Sequence, residues 1–594
     1  MTARSRGFAL LGVALMSVHP GLPADLSPAN WAPAEKARAE AEQGFVSPAN
    51  SRAVEGANGL VAATTSPIAV QAGIEALRQG GTAADAAATV ALTQITTALG
   101  SYVSAAGVLQ LVYYDAASGK VVSLNAGWNS WIGETNPGTI PPNPPGFAED
   151  PAASREAIGR RTLVPGFMAG IEAMQKRFGR LPFADVFQPA TWYAENGVTV
   201  TALHAAYFRL REKALSRTEE GRQFLHQADG HAPRVGDRFV QTELAKTLRG
   251  VARDGAAYMY TGPWGQQYVD AVNRESGKAS MEDMRRYRPT WEEPLHSTFG
   301  GYDIFAPGAS TDGGFAVLEA MNLAEERKTQ AMGPYWKDWR AFRDLTSILQ
   351  FAQNGAFMEP QLNAFTQRRG IVLNPAERAT KPWARAVAPF IDEMSGESPR
   401  ETGHSDSIVV IDRWGNVAAL VHSINSVVWG TTGIVVEGVP ISDAAGINQF
   451  RLARMKPGGR VRDDMGPVIV MNQAKPALAV ASIGASLTFE TARLLVGILG
   501  NGQDAATVMA APPLLNNYQP LKPGETPARR ARLIPAGAYD AGFIADLGAA
   551  GVRVRVMNAT EVNGLRGTAV LGSVEGKMRR GVETSGVAGF ATAY

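Results

Sequence analysis

The chain has 594 residues, 45% hydrophobic and 19% charged, which is enough apolar material for a large folded core and excludes a disordered chain. A net charge of +2 argues against a nucleic-acid footprint, and the absence of cysteine excludes disulfides, thiol catalysis and thiolate metal sites. Seven scattered histidines form no His-Glu-x-x-His pair, so no metal or other cofactor is expected.

The N-terminus reads as a secretory signal. Arg4 and Arg6 give a basic start, Phe8 to Val18 is an apolar run too short to span a bilayer, and Gly21-Leu22-Pro23-Ala24 offers a cleavage point after Ala24. No other segment reaches about 18 uninterrupted apolar residues. A periplasmic or secreted protein without stable membrane insertion is expected. Residues 25 to 55, rich in Ala, Pro and Glu, read as an exposed lead-in. Leu60 to Thr64 reads as a strand and Pro67 to Gln79 as a helix ended by Gly80-Gly81. Thr82 caps a second helix, Ala83 to Thr97, whose small residues allow close packing; Asp85 inside it is read as structural. Leu109 to Asp115 and Lys120 to Asn125 form a strand pair around a Gly-containing turn. Helices follow from Val164-Pro165-Gly166 to Phe178 and from Pro189 to about Asn196.

The chemistry concentrates after residue 400. Ile408 to Ile411 is a short β-branched run, Asp412-Arg413-Trp414-Gly415-Asn416 is a turn, and Val417 to Val421 returns as a second strand with Asn425 just beyond. Val468 to Met471 and Ala477 to Ser482 read as further strands. Ile483-Gly484-Ala485-Ser486 then leads into a helix, Leu487 to Gly500, a turn that presents free backbone N–H groups.

Thr402-Gly403-His404, the strand that follows, the Gly415-Asn416 turn and Ser423-Ile424-Asn425 resemble the start of the small subunit of γ-glutamyltransferases. Arg253-Asp254-Gly255, Asp283 to Tyr287, Glu293-Pro294-Leu295, Gly300-Gly301-Tyr302 and Gly313-Gly314 keep the family's order, and the resemblance covers roughly residues 56 to 594, weakest over 330 to 400. It implies an α/β (α+β) fold, a four-layer αββα N-terminal-nucleophile (Ntn) hydrolase sandwich made from one self-cleaving precursor. It places the cut at Glu401–Thr402 and makes Thr402 the nucleophile. A Thr hydroxyl needs a base, and a new α-amino group, which titrates near 7.7 to 8.0, supplies one in the same residue. Gly484 and Ala485 match the Gly-Gly pair that forms the family's oxyanion hole, and Ser423 and Asn425 match residues lining its site.

The substrate pocket departs from the family. Gly127 stands where an Asp-Phe-Arg-Glu motif has the Arg that grips the glutamyl carboxylate, and Ser104-Ala105-Ala106-Gly107 replaces the Gly-rich loop before it. Asp463 and Asp464 replace two serines of a Ser-Ser-Met-Ser-Pro motif; a second reading pairs both with Arg460 or Arg462 in solvent. Asp443 is the nearest counterpart of the acidic residue that receives the substrate amine, and Gly403 replaces a Thr. The expectation is an exported, self-processing amidohydrolase that works through an acyl-enzyme on a small-molecule amide other than a standard glutamyl one. A signal peptide (1–24) would precede a large subunit (25–401) and a small one (402–594), the two fragments staying together. The alternatives are a true γ-glutamyl enzyme with a replaced clamp, or a secreted relative without activity.

Overall fold

The computed structural model describes residues 23–43, 52–141, 158–226, 230–355, 359–394, 405–425, 432–517, 531–582 and 589–594. The expected signal segment up to residue 22, Glu401 and Thr402 lie outside the described residues.

Two seven-stranded antiparallel sheets form the centre. Their strands are, in chain order, β1 (Ala53–Gly56), β2 (Leu60–Thr64), β3 (Val108–Asp115), β4 (Lys120–Ala126), β5 (Thr290–Glu292), β6 (Leu295–Phe299) and β7 (Tyr302–Ala306). After residue 400 come β8 (Asp406–Ile411), β9 (Val417–Ser423), β10 (Val468–Asn472), β11 (Lys475–Gly484), β12 (Gly567–Glu575), β13 (Met578–Val582) and β14 (Gly589–Ala593). The first sheet has the order β14-β2-β8-β9-β3-β4-β5 and the second β1-β13-β12-β11-β10-β7-β6. Each sheet therefore takes strands from both sides of residue 402.

Strand periodicity sorts the side chains into layers. Leu60, Val112, Val409, Ile411 and Val421 of the first sheet meet Ile469, Ala481, Ile483 and Val570 of the second in a core between the sheets. Val61, Ala63, Ile408, Val410 and Leu420 point the other way, into a helical layer. That layer includes α1 (Pro33–Glu42), α2 (Pro67–Arg78), α3 (Ala83–Thr97), α4 (Phe167–Phe178) and α5 (Ala202–Leu215). Outside the second sheet lie α6 (Asp312–Glu326), α7 (Trp339–Gly355) and α8 (Leu487–Leu495), which bury Leu318, Leu345 and Phe489 against Ile304, Val480 and Leu571. The result is an αββα sandwich. Both faces of β8 are buried, which is why its Ile408–Ile411 stretch is a continuous apolar run with no alternation.

Three local features refine the sequence reading. The lead-in is largely exposed but docked: Leu26, Trp31 and Ala39 are buried in the first helical core, and Leu26 N–H donates to Gln188 Oε1 at 2.7 Å. A few apolar anchors in a polar, Pro-rich stretch suffice to dock it, and average composition hides them. The helix expected to run to Gly500 becomes a π-helical turn over Val496–Gly500, which seats Gly497 against Val508. Finally, α2 and α3 pack so tightly that a Cβ on Gly73 would stand 2.5 Å from Val90 Cγ2, which explains the small residues of this helix pair.

Asp85 is a buried hub. Its Oδ2 accepts from Thr82 N–H (2.9 Å), Arg180 N–H (2.7 Å) and Leu181 N–H (3.3 Å), and its Oδ1 accepts from Gln175 Nε2 (3.0 Å). It thus caps α3 and holds the turn after α4. Asp85→Ala strands several buried donors, so a loss of roughly 3 kcal/mol or more in unfolding free energy is expected, with Asp85→Asn losing less. Urea denaturation of the two variants measures this; equal, small losses would show the hub to be dispensable.

Candidate active site

The β8–β9 hairpin organises the site. Asp412 closes its turn, with Oδ1 accepting the N–H groups of Trp414 (2.9 Å) and Asn416 (3.0 Å). The ladder pairs Ile411 with Val417 and Asp406 with His422. One step further, Ser405 lies opposite Ser423, and Ser405 Oγ donates to Ser423 Oγ at 2.8 Å. Ser423 Oγ also accepts Asn425 N–H at 2.8 Å. These hydroxyls share the face of Val409 and Val421, which is the space between the sheets. The sequence reading found Ser423 and Asn425 but passed over Ser405. The turn was a sufficient signal: once Ile411 is set against Val417, equal steps along both strands put Ser405 across from Ser423.

Backbone strain gathers here. Asn425 (φ +57°) and Tyr102 (φ +61°) are both left-handed, and Ile424 N–H donates to Tyr102 O at 2.9 Å. A bulky residue in that region costs about 1–2 kcal/mol and marks a place held by its surroundings. The Ser104–Gly107 loop runs against the hairpin end so closely that a Cβ on Gly107 would lie 2.6 Å from Ser423 O. Across the sandwich, β11 packs over β8 and β9 and ends at Gly484. Gly484 has φ +90°, and a Cβ there would meet Arg566 O at 2.7 Å, so glycine is required. Ala485 is not left-handed, and alanine serves there. Its carbonyl accepts from Gln353 Nε2 at 2.9 Å, ahead of the α8 N-terminus.

The four rewritten pocket positions separate. Asp463 is buried in the space between the sheets. Its Oδ2 accepts from Gln110 Nε2 at 2.6 Å and its Oδ1 from Met465 N–H at 3.0 Å. Gln110 pairs with Val421, two residues from Ser423, or on the order of 7 Å along the strand. Asp464 instead forms an ion pair with Arg451 (2.5 Å), which also reaches Asp312 (3.1 Å). Arg462 pairs with Asp312 as well, not with either neighbouring aspartate. Arg460 fills the place beside Gly127. A Cβ on Gly127 would meet Asn125 Oδ1 at 2.9 Å, Arg460 Cδ at 3.3 Å and Asp463 Oδ2 at 3.4 Å. The Arg460 guanidinium donates to Asn129 Oδ1, Asn125 O, Asn125 Oδ1 and Arg288 O, all neutral acceptors. Asp443 is buried at the head of a short helix, Ala444–Ile447.

Burial controls the titration of three groups. Asp463 is pushed up to about 7 by desolvation, against the hydrogen bond from Gln110. Asp406, next to Ser405 but facing the helices, is pushed up to about 8 by desolvation, against the Thr65 and Thr64 hydroxyls. His422 is pushed down to about 3 by burial; its Nε2 bonds Gln94 Oε1 at 2.8 Å, and it is neutral. All three side chains belong to the hairpin or lie against it.

A sandwich of two antiparallel sheets between helices, with a hydroxyl where the central hairpin begins, defines an N-terminal-nucleophile hydrolase fold. The gamma-glutamyltranspeptidase family model matches residues 69–572, and the chain belongs to that family. It is 26% identical over 352 residues to the glutathione hydrolase proenzyme of Pseudomonas aeruginosa, a match covering 55% of this chain and 60% of that protein. It is 25% identical over 480 residues to the acylase ACY 1 proenzyme of a Pseudomonas species, covering 77% and 82%. Among solved structures it is similar to a cephalosporin acylase from Bacillus halodurans, with a TM-score of 0.75 and 20% identity over 93% of this chain and 98% of that one.

The buried carboxyls predict a pH dependence. Folded Asp406 keeps its proton to about pH 8, whereas an unfolded aspartate loses it near 3.9. Between those values the folded state binds more protons. The stability involved is fully present below about pH 4 and is lost as pH rises through 8, with Asp463 acting in the same direction to about 7. Asp406→Asn, which never ionises, is expected to gain stability over the parent by a few kcal/mol at pH 9 and by little at pH 4. Melting temperatures across that range measure it, and a difference independent of pH would refute the assignment.

Proposed function

We propose that the protein is an exported, self-processing amidohydrolase. In this reading a hydroxyl at the head of β8 attacks an amide carbonyl, and the α-amino group exposed by processing takes and returns the proton. The Gly484 and Ala485 N–H groups hold the oxyanion, and water clears the acyl-enzyme. Ser423 and Asn425 orient the nucleophile. Membership of a family whose relatives carry the names glutathione hydrolase and acylase supports amide hydrolysis.

Two hydroxyls compete for the role of nucleophile. The resemblance points to Thr402, with fragments 25–401 and 402–594. Ser405 is the second candidate, because its Oγ donates to Ser423 Oγ at the head of β8, and it would give fragments 25–404 and 405–594. In processing, the Oγ attacks the preceding carbonyl and the peptide nitrogen leaves as the new amine. Water then hydrolyses the ester to a free carboxylate. Both sheets take strands from each fragment, which supports their staying together.

The acyl group is read as neutral or cationic. Asp464 is neutralised by Arg451, and Arg460 is turned to carbonyl oxygens, so among these three groups the charge without an ionic partner is that of Asp463. A substrate carboxylate beside it would be repelled above about pH 7.

Intact-mass analysis of purified protein tests the processing. Two fragments are expected; a smaller one beginning at Ser405, with Ser405→Ala staying one chain while Thr402→Ala is cut, would assign the role to Ser405. The reverse pattern would assign the role to Thr402, and an uncut but active chain would overturn self-processing. Kinetics on γ-glutamyl-p-nitroanilide and on uncharged or amine-bearing anilides test the acyl preference. The glutamyl compound is expected to be the poorest, with Asp463→Ser narrowing the gap about tenfold or more, equivalent to 1.4 kcal/mol. Saturable, efficient turnover of the glutamyl compound by the unmodified enzyme would sink the reading.

A further inference from the structure

Six described arginines are buried, and five of them are hydrogen-bonded: Arg161 to Pro141 O, Arg378 to Glu319, Arg493 to Glu490, Arg532 to Gln350 and Arg579 to Asp412 O. Arg211 is the sixth. It is 7% exposed, its Nε is buried with no hydrogen-bond partner, and among the described residues no acceptor is bonded to the rest of its guanidinium. A guanidinium carries five donors in a rigid fork, and leaving the Nε–H of this one buried and unmatched is costly. A site that keeps such a group is shaped for an acceptor that arrives from outside.

Its position says which acceptor. Arg211 lies on the inward face of α5, one turn after Tyr207, whose hydroxyl is 2.8 Å from that of Tyr102. Tyr102 O in turn receives Ile424 N–H, between Ser423 and Asn425. The other wall is the segment leading to Asp443. Ala214 O of α5 lies 2.0 Å from where a Cβ on Gly433 would stand, Thr218 Oγ1 donates to Gly433 O at 3.0 Å, and Ser104 Oγ donates to Pro440 O at 3.2 Å. Burial draws the Arg211 pKa down while the Asp443 carboxylate opposes that shift, so the two charges are neighbours. Along β9, Asp463 stands beside the strand at the level of Val421, whereas Tyr102 and α5 stand beyond its end. Asp463 and the Arg211–Asp443 neighbours therefore stand at different levels along β9, the first beside the strand and the second beyond the end that carries Ser423.

We propose that Arg211 is a specificity-determining residue that binds a carboxylate of the amide substrate, on the side of the Ser405–Ser423 pair away from Asp463. A planar, singly charged carboxylate fits the fork in a bidentate manner, whereas a dianion would be opposed by Asp443. With Asp463 disfavouring a negative acyl part, this carboxylate belongs to the leaving amine. The proposal rests on the amidohydrolase reading above and deepens it.

Three probes test it: 4-(pentanoylamino)benzoate with a carboxylate on the leaving part, glutaryl-p-nitroanilide with one on the acyl part, and pentanoylanilide with none. For processed enzyme, the kcat/KM ratio of 4-(pentanoylamino)benzoate to pentanoylanilide is expected to fall at least tenfold in Arg211→Met, mainly through KM, and less in Arg211→Lys. An unchanged ratio, or equal losses on all three probes, overturns the proposal by making Arg211 structural. If glutaryl-p-nitroanilide alone shows the fall, the assignment to the leaving part is overturned. A second measurement does not need turnover. Calorimetric binding of 4-(pentanoylamino)benzoate to Ser405→Ala precursor and to the unmodified protein is expected to be at least tenfold tighter than that of pentanoylanilide, and Arg211→Met is expected to abolish the difference. Tighter binding of the carboxylate without hydrolysis would refute the amidohydrolase reading and leave the Arg211 site standing. No preference for the carboxylate in either protein refutes the Arg211 site itself.

Discussion

The register of one hairpin holds this site together. With Asp412 closing the turn and Ile411 set against Val417, every residue of β8 and β9 has an assigned neighbour and an assigned face. A slip of one residue would send Val409 and Val421 into the helical layer and turn the Ser405 and Ser423 hydroxyls away from the space between the sheets. The hairpin is held on both faces by apolar contacts and on both edges by β2 and β3, so such a slip would break two ladders at once. That rigidity allows strained residues to sit at its open end. Tyr102 and Asn425 keep left-handed backbones because the strands beneath them do not yield.

The electrostatics around the hairpin follow from where water is excluded. Asp463 and Asp464 are adjacent in sequence, yet one is buried against Gln110 and the other is matched to Arg451. The first carries an elevated titration, because desolvation of a carboxyl without a cation favours its protonated form. Asp406 behaves likewise on the opposite face, and His422 is driven the other way because its charged form is the one with the proton. Below about pH 7 the centre of the sandwich is thus close to uncharged. Charge is kept to its margins, at the Asp312–Arg451–Asp464 network and at Arg211 with Asp443.

The interleaving of strands has its own consequence. β2, β3 and β4 flank β8 and β9, while β14 returns from the far end of the chain to pair with β2. A cut just before β8 therefore leaves every ladder intact, since the strand keeps its neighbours and gains a free end. The docked N-terminal segment around Leu26 and Trp31 adds a further tie on the helical side.

What the sequence determined by itself is what local chemistry determines. Strands β2, β8 and β9, helices α2 and α3 and the Thr82 cap were legible within a few residues, because alternation, turn residues and caps act over short spans. Gly484, Ser423 and Asn425 were singled out by the family resemblance, and the structure sets each at or just beyond the end of a strand. Ser405 was missed, although the turn contained its position, because a family pattern was followed instead of the pairing across the hairpin. The tertiary structure alone decided the charges. Nothing near Asp463 or Asp464 in the chain distinguishes them, and their partners, Gln110 and Arg451, are brought by other elements. The space beside Gly127 is filled by Arg460 from more than 300 positions away, and the burial of Arg211 depends on a helix meeting a distant loop. Titration and specificity depend on such long-range neighbours and on the exclusion of water, and neither is a local property of sequence.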